Sequence, residues 1–414
     1  MKVEGEILNM EKSLIKSKAI IELEEKIQHG NNGALDEFWC EIENRGTPLI
    51  EKLEGDLEHD LVTFVYEADE EIENIVLMPP VGEDNLLENK MQRLLETNLW
   101  YITYKVQNNI RFTYAFSAND SLEADCEERW DNLNHDKFNK NRLVFKGEDG
   151  EEDEIRSYVV MPNEDEHFWV KERSDIPKGT ICEHQFHSEN LEQSRRIRIY
   201  TPYGYENANE PYGFLVLNDG DEYINLLSGT TVLDNLIADK KIPPIVAIFI
   251  DSTETRRKEL KCNDKFVDII VKEIMPWVRE NYNISYKADK GVIGGYSLGG
   301  LTALYLGLKH SEVFGNVLSE SGSCWYKPEN CKDGEIGCWL GNEFKVIDKL
   351  PLKFYLNVGV LEGKETMIDT HIIFKDILTE KGYDVEFEYF NSGHDFLCWG
   401  ETLAIGLISL IGKM

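Results

Sequence analysis

The chain has 414 residues, 42% hydrophobic and 29% charged, which suits two or three globular domains and excludes a disordered polymer. Its 77 Asp+Glu against 44 Lys+Arg give a formal charge of −33. A field of that sign repels nucleic acid and anionic membrane, so neither is expected as a partner, and it leaves the oligomeric state open.

Residues 1–56 read as a charged helical extension. Over 12–28, Leu14, Ile15, Ala19, Ile20, Leu23 and Ile27 form a helical stripe, and Gly30 and Gly33 stop it. A second short helix is expected over 34–44, closed by Gly46-Thr47-Pro48. Between 57 and 171 the period changes to two. The stretches 60–68, 74–78, 99–107 and 111–117 are short, β-branched and aromatic, with Asn108-Asn109 at a hairpin turn between the last two. This predicts a small antiparallel β-sandwich that passes into a solvated acidic loop over 148–154. From 172 to 414, strands at 197–201, 214–217, 245–250, 291–294, 316–319, 353–358 and 385–390 alternate with helices at 265–281, 301–309, 367–381 and 396–411. That alternation predicts a mainly parallel sheet covered on both faces, an α/β domain.

Gly295-Tyr296-Ser297-Leu298-Gly299 is a G-x-S-x-G element set between an apolar strand and a helix. That context is a nucleophile elbow and points to an α/β-hydrolase with Ser297 as nucleophile. A serine hydroxyl needs a base, which in this fold follows it in the order Ser, acid, His. His371 lies inside a helical stretch. His394 lies just past the strand 385–390, where open α/β sheets place catalytic groups, and is the expected base. The carboxylate that orients it should follow an intervening strand. Glu362 fits, and Asp369, Asp376 and Asp384 are the alternatives. The oxyanion should meet the N–H of Leu298 and that of Gly220 or Asp221 after the strand 214–217. A basic cluster, Arg256-Arg257-Lys258, follows the strand 245–250.

The start, Met-Lys-Val-Glu-Gly-Glu, leads into no apolar secretory segment, and stretches such as 242–250 are too short to span a bilayer, so the expected location is cytoplasmic. The eight cysteines are then expected as reduced thiols. Cys324, Cys331 and Cys338 recur every seven residues. Without a CxxC pair or a nearby His they read as buried or loop thiols, with no metal site.

With Ser297, Glu362 and His394 placed, the chain resembles the enterochelin (enterobactin) esterase family over nearly its whole length. The elbow followed by Leu-Ser-Glu-Ser-Gly-Ser323-Cys-Trp325 is similar to that family's segment after the nucleophile. So are Arg256 or Arg257 with Glu259-Leu260 and Cys262-Asn263, and Gly393-His394-Asp395 with Trp399. Gly46-Thr-Pro-Leu-Ile-Glu51 and Thr97-Asn-Leu-Trp100 resemble its N-terminal β-domain. Ser392 stands where a glycine is usual, and Gly400 where an arginine is expected. The resemblance implies a serine esterase cutting a cyclic tri-catecholate siderophore, whose ferric form is a trianion. Arg256 and Arg257 would meet that charge, with Glu259, Trp325 and Trp399 completing the substrate-binding set. No cofactor is implied, and iron released in the cytosol belongs to the substrate. A carbohydrate-linked feruloyl or acetyl esterase is the rival enzyme reading. A non-catalytic binding protein on a hydrolase fold is the rival of another class.

Overall fold

The computed structural model describes residues 10–69, 71–78, 86–123, 129–130, 132–147, 153–207, 210–328 and 338–412. The first nine residues, most of the expected acidic loop (148–152) and Cys331 lie outside them. The chain divides into two units: Met1–Asp165 with Asn391–Asp395, and Glu166–Phe390 with Phe396–Met414.

Among the described residues the first unit holds nine strands: β1 (Met10–Lys12), β2 (Leu49–Lys52), β3 (His59–Glu67), β4 (Ile75–Met78), β5 (Gln92–Arg93), β6 (Leu99–Gln107), β7 (Arg111–Ala118), β8 (Arg142–Phe145) and β9 (Glu154–Val160). They make two antiparallel sheets, β1-β6-β3-β2 with β5 on β6, and β4-β7-β9-β8. The sheets meet through aromatic rings: Phe64 packs against Tyr114 at 4.7 Å and Tyr66 against Phe116 at 5.2 Å.

Three details differ from the sequence expectation. The first helix is Lys18–Gln28, because the Ser17 hydroxyl caps it by accepting from the Ile20 amide. Leu14 and Ile15, counted in its stripe, are exposed. Residues up to 56 are no separate extension. The helices Lys18–Gln28 and Ala34–Arg45 pack Ile20, Leu23, Phe38 and Ile42 on Val65, Leu99 and Tyr101 of the first sheet. Lastly, β6 and β7 form no hairpin. They belong to different sheets, and the Asn108 amide donates to Glu58 O.

The second unit is built on one eight-stranded sheet: β10 (Thr180–Ser188), β11 (Gln193–Thr201), β12 (Gly213–Asn218), β13 (Ile245–Ile250), β14 (Gly291–Tyr296), β15 (Asn316–Glu320), β16 (Lys353–Gly359) and β17 (Asp384–Phe390). The order is β10-β11-β13-β12-β14-β15-β16-β17. β10 and β11 are antiparallel to their neighbours, and the other six strands are parallel. One face carries the helices Leu298–Lys309 and Asp369–Glu380, the other Gly229–Ala238 and Trp399–Ile411, so the central strands are apolar on both sides. The six parallel strands bring their carboxyl ends, and so the loops after Asn218, Tyr296, Glu320 and Gly359, to one edge.

Candidate active site

Ser297 links β14 directly to the helix Leu298–Lys309. Its backbone sits at φ 54°, ψ −122°, a conformation side chains other than glycine rarely take. Three bonds hold it there. Its amide donates to Glu320 O at 2.9 Å, and its carbonyl accepts from the amides of Leu301 at 3.1 Å and Ser323 at 3.0 Å. The flanking glycines have little room for a side chain, Gly295 none. A Cβ on Gly295 would lie 2.5 Å from the Gly299 carbonyl carbon, and one on Gly299 would lie 3.1 Å from an Asp219 carboxylate oxygen.

Glu362 follows β16 and is buried. Its Oε1 accepts from the Ser321 hydroxyl at 2.5 Å and the Gly359 amide at 2.8 Å. The Ser321 hydroxyl accepts in turn from the Trp399 indole N–H at 3.0 Å. Segment 320–323 therefore ties the elbow to Glu362: Glu320 and Ser323 hold Ser297, while Ser321 holds the carboxylate. Asp369, the first residue of its helix, Asp376 within that helix, and Asp384, the first residue of β17, are farther along the chain from the end of β16. His371 is buried with Nδ1 against Met367 O at 2.7 Å, which suits a helix-core histidine. His394 is exposed, in the segment Asn391–Asp395 that groups with the first unit.

Asp219, in a left-handed turn after β12, is the N-cap of the helix Gly220–Asn225. Leu298 and Gly220 thus each open a helix, where N–H groups lack intrahelical acceptors. Gly220 has no room for a side chain: a Cβ would lie 2.7 Å from the Phe249 carbonyl carbon. The Asp221 carboxylate faces Arg196 and Arg198, each at 2.8 Å.

The expected substrate-binding residues fall into two groups. Arg256 forms a two-pronged pair with the buried Asp219 carboxylate, at 2.6 and 2.7 Å, and lies 5.8 Å from the centre of the Tyr296 ring. Burial opposes its charge, and the Asp219 bonds and charge more than offset that, so its pKa stays above the usual arginine value. Nearby Glu222 is pushed up to about 7 by burial and then by the Asp219 charge. Glu259 is buried in a pair with Arg195, at 2.8 and 3.2 Å, and accepts from the Thr255 hydroxyl. Trp399 is buried and stacks on Tyr296 at 4.5 Å. Glu259 and Trp399 thus hold the fold instead of offering a surface. Arg257 and Trp325 are exposed, and Arg257 makes no ion pair among the described residues.

Ser321 and Asp219 are additions that spacing did not single out. Their partners are 41 and 37 positions away, Glu362 and Arg256 respectively. The seven-residue cysteine recurrence has a spatial counterpart: a bond with Cys338 and burial push the Cys324 thiol well up, with Cys262 nearby. Among the described residues no group of three or more His, Cys, Asp or Glu could hold a metal ion, and no helix is long and apolar enough to cross a membrane.

The "Putative esterase" family model matches residues 188–410 of the chain. The iron(III) enterobactin esterase of Escherichia coli K12 is 29% identical over 341 residues, covering 79% of this chain and 82% of the relative. The iron(III) salmochelin esterase of Escherichia coli O6:H1 is 24% identical over 98% of this chain and all of the relative. Among solved structures, the enterobactin esterase of Shigella flexneri, crystallised in the presence of enterobactin, is 27% identical with a TM-score of 0.73, covering 91% of this chain and 97% of that one. The match to the family model spans more than half of the chain, and with these relatives at its side the protein is a carboxylic ester hydrolase and a member of the enterochelin esterase family of α/β-hydrolases.

Proposed function

We propose that this hydrolase cleaves the ester bonds of an enterobactin-like tri-catecholate siderophore, with Ser297 as nucleophile, His394 as general base and Glu362 as the orienting carboxylate. The observation that carries the nucleophile is the backbone of Ser297, held at positive φ between a strand and a helix by bonds to segment 320–323. The fold keeps such strain where a side chain has to be presented, as at a nucleophile elbow. The substrate class rests on relatives that match this chain over both of its units.

In the proposed reaction His394 takes the Ser297 proton as Oγ bonds to the ester carbonyl carbon. The N–H of Leu298 and that of Gly220 or Asp221 stabilise the oxyanion. The C–O bond breaks, and the serine alcohol of the siderophore leaves with the proton from His394. Water, deprotonated by His394, then attacks the acyl-enzyme, and as the C–O bond breaks His394 returns that proton to Ser297 Oγ and the carboxylic acid leaves. Iron is cargo of the substrate throughout: opening the lactone loosens its catecholate cage, for release in the cytosol. Arg257 and Trp325, both exposed, are the contacts proposed for catecholate charge and ring.

The test is product analysis with ferric and iron-free tri-catecholate lactones beside a feruloyl ester. Expected are linear trimer, dimer and monomer from the lactone, a slower feruloyl reaction, and a kcat loss of about 10³-fold or more in Ser297→Ala. Faster cleavage of the feruloyl ester would transfer the protein to the rival substrate class. Full activity in Ser297→Ala would remove the nucleophile.

A further inference from the structure

Strand β7 is covered unevenly. Among the described residues, β9 pairs on one side with Arg111–Tyr114, and on the other β4 pairs with Ala115–Ala118. Alternate residues of an antiparallel strand turn their N–H groups to opposite sides, so the first half of β7 presents donors on the side away from β9. The segment Asn391–Asp395 takes them. The Arg111 amide donates to Asn391 O at 3.0 Å, and the Thr113 amide donates to the Asp395 carboxylate at 3.3 Å.

Asp395 is buried, and so is Ser392, whose hydroxyl donates to both Asp395 carboxylate oxygens at 3.0 and 3.1 Å. The Asp395 amide closes the turn on Gly393 O at 2.9 Å. The loop thus has a buried, bonded residue on either side of the exposed His394. Ser392, which departs from the family's usual glycine, supplies one of those bonds.

We infer that Asp395 is a positioning residue: bound to the Thr113 amide and the Ser392 hydroxyl, its carboxylate fixes the loop that presents His394. The inference rests on the reading of His394 as the base. Within the first unit the edge of β7 sets the backbone on which the imidazole stands. A buried carboxylate that accepts two bonds holds a loop more tightly than van der Waals packing does, and a base displaced by about 1 Å can cost 10²-fold in rate.

The experiment compares Asp395→Ala, Asp395→Asn, Ser392→Ala and His394→Ala in the full chain, using p-nitrophenyl esters and the lactone, with a melting curve for each. Asp395→Ala is expected to lose about 10- to 100-fold in kcat with KM within about twofold of the parent. Asp395→Asn keeps an oxygen for the Thr113 amide and should recover to within about threefold of the parent. Ser392→Ala removes only a hydroxyl, so it reads the same effect if Asp395→Ala does not fold, with an expected kcat loss of about threefold. A parental kcat in Asp395→Ala or, where that variant does not fold, in Ser392→Ala overturns the inference, and so does an Asn variant no better than Ala. His394→Ala separates the two layers. If it is inactive while Asp395→Ala is untouched, only the positioning role falls. If it retains activity, the base assignment falls and the inference with it.

Discussion

Glu320 ends β15, and its carbonyl holds the amide of Ser297. Its side chain is enclosed, with the hydroxyls of Thr402 at 2.5 Å and Tyr223 at 2.8 Å against the two carboxyl oxygens. Burial pushes its pKa up to about 8, against the opposing pull of those hydroxyl bonds. The folded chain therefore holds a proton here at neutral pH that the unfolded chain, with an ordinary carboxyl near 4.5, has given up. A proton bound more tightly by the native state stabilises it fully below the lower value. That contribution is lost as pH rises through the higher one, at up to about 1.4 kcal/mol per unit. Glu320→Gln should match the parent in urea melts near pH 5 and become progressively more stable than the parent towards pH 8. A difference that stays constant over this range would show that no proton is retained at Glu320. At this scale the sequence exposes some residues and hides others for one reason. Ser297 lies inside its own signature, whereas Ser321 and Asp219 act through partners brought close only by strand register and a helix turn.

At the scale of elements, period and punctuation locate the central parallel strands within a residue or two, because strands buried on both faces are largely apolar runs. What is not legible is decided by partners outside the element. The stretch 265–281 reads as one amphipathic helix, yet it passes through a π segment at Ile270–Ile274 just before Pro276, whose ring nitrogen cannot donate to the preceding turn. β10 has no apolar alternation because it is an exposed strand that, among the described residues, forms the edge of its sheet beside β11. Gly400, where the family suggests an arginine, belongs to the same class. A Cβ there would lie 2.4 Å from Leu227 O and 2.8 Å from a Val170 methyl, so the start of the helix Trp399–Ile411 packs too closely for any side chain. Gly400→Arg is expected to lower stability by about 3 kcal/mol, as over-packing against backbone does, without tightening the binding of an anionic substrate. A melting curve and a titration with the ferric lactone measure the two halves separately. A stable variant with tighter binding would show that the departure from the family pattern is a loss of function and not a difference in packing.

For the whole molecule, the charge of −33 poses a problem for the trianionic substrate proposed above, and the cluster around Arg256 does not cancel it. Arg256 is matched by Asp219, and Glu222 beside it begins to ionise near neutral pH, so that trio is not net positive. Arg257 and Lys258 are exposed cations of the cluster that make no ion pair among the described residues, and Arg257 is the one proposed to meet the substrate. Long-range repulsion and short-range attraction can be separated by salt, because screening acts first on the longer range: the Debye length falls from about 30 Å at 0.01 M to about 8 Å at 0.15 M. Over that interval the field of the whole surface is largely screened, while a contact of a few ångströms with Arg257 keeps most of its strength. The kcat/KM for the ferric lactone should therefore rise several-fold between those salt concentrations, with the gain in KM, while a neutral p-nitrophenyl ester stays flat. In Arg257→Ala the lactone should bind more weakly at every salt concentration yet keep the same upward slope, since the global field is unchanged. A kcat/KM that falls with added salt would mean that attraction near the site reaches beyond the surface, and that the acidic bulk of the protein does not govern the approach of its substrate.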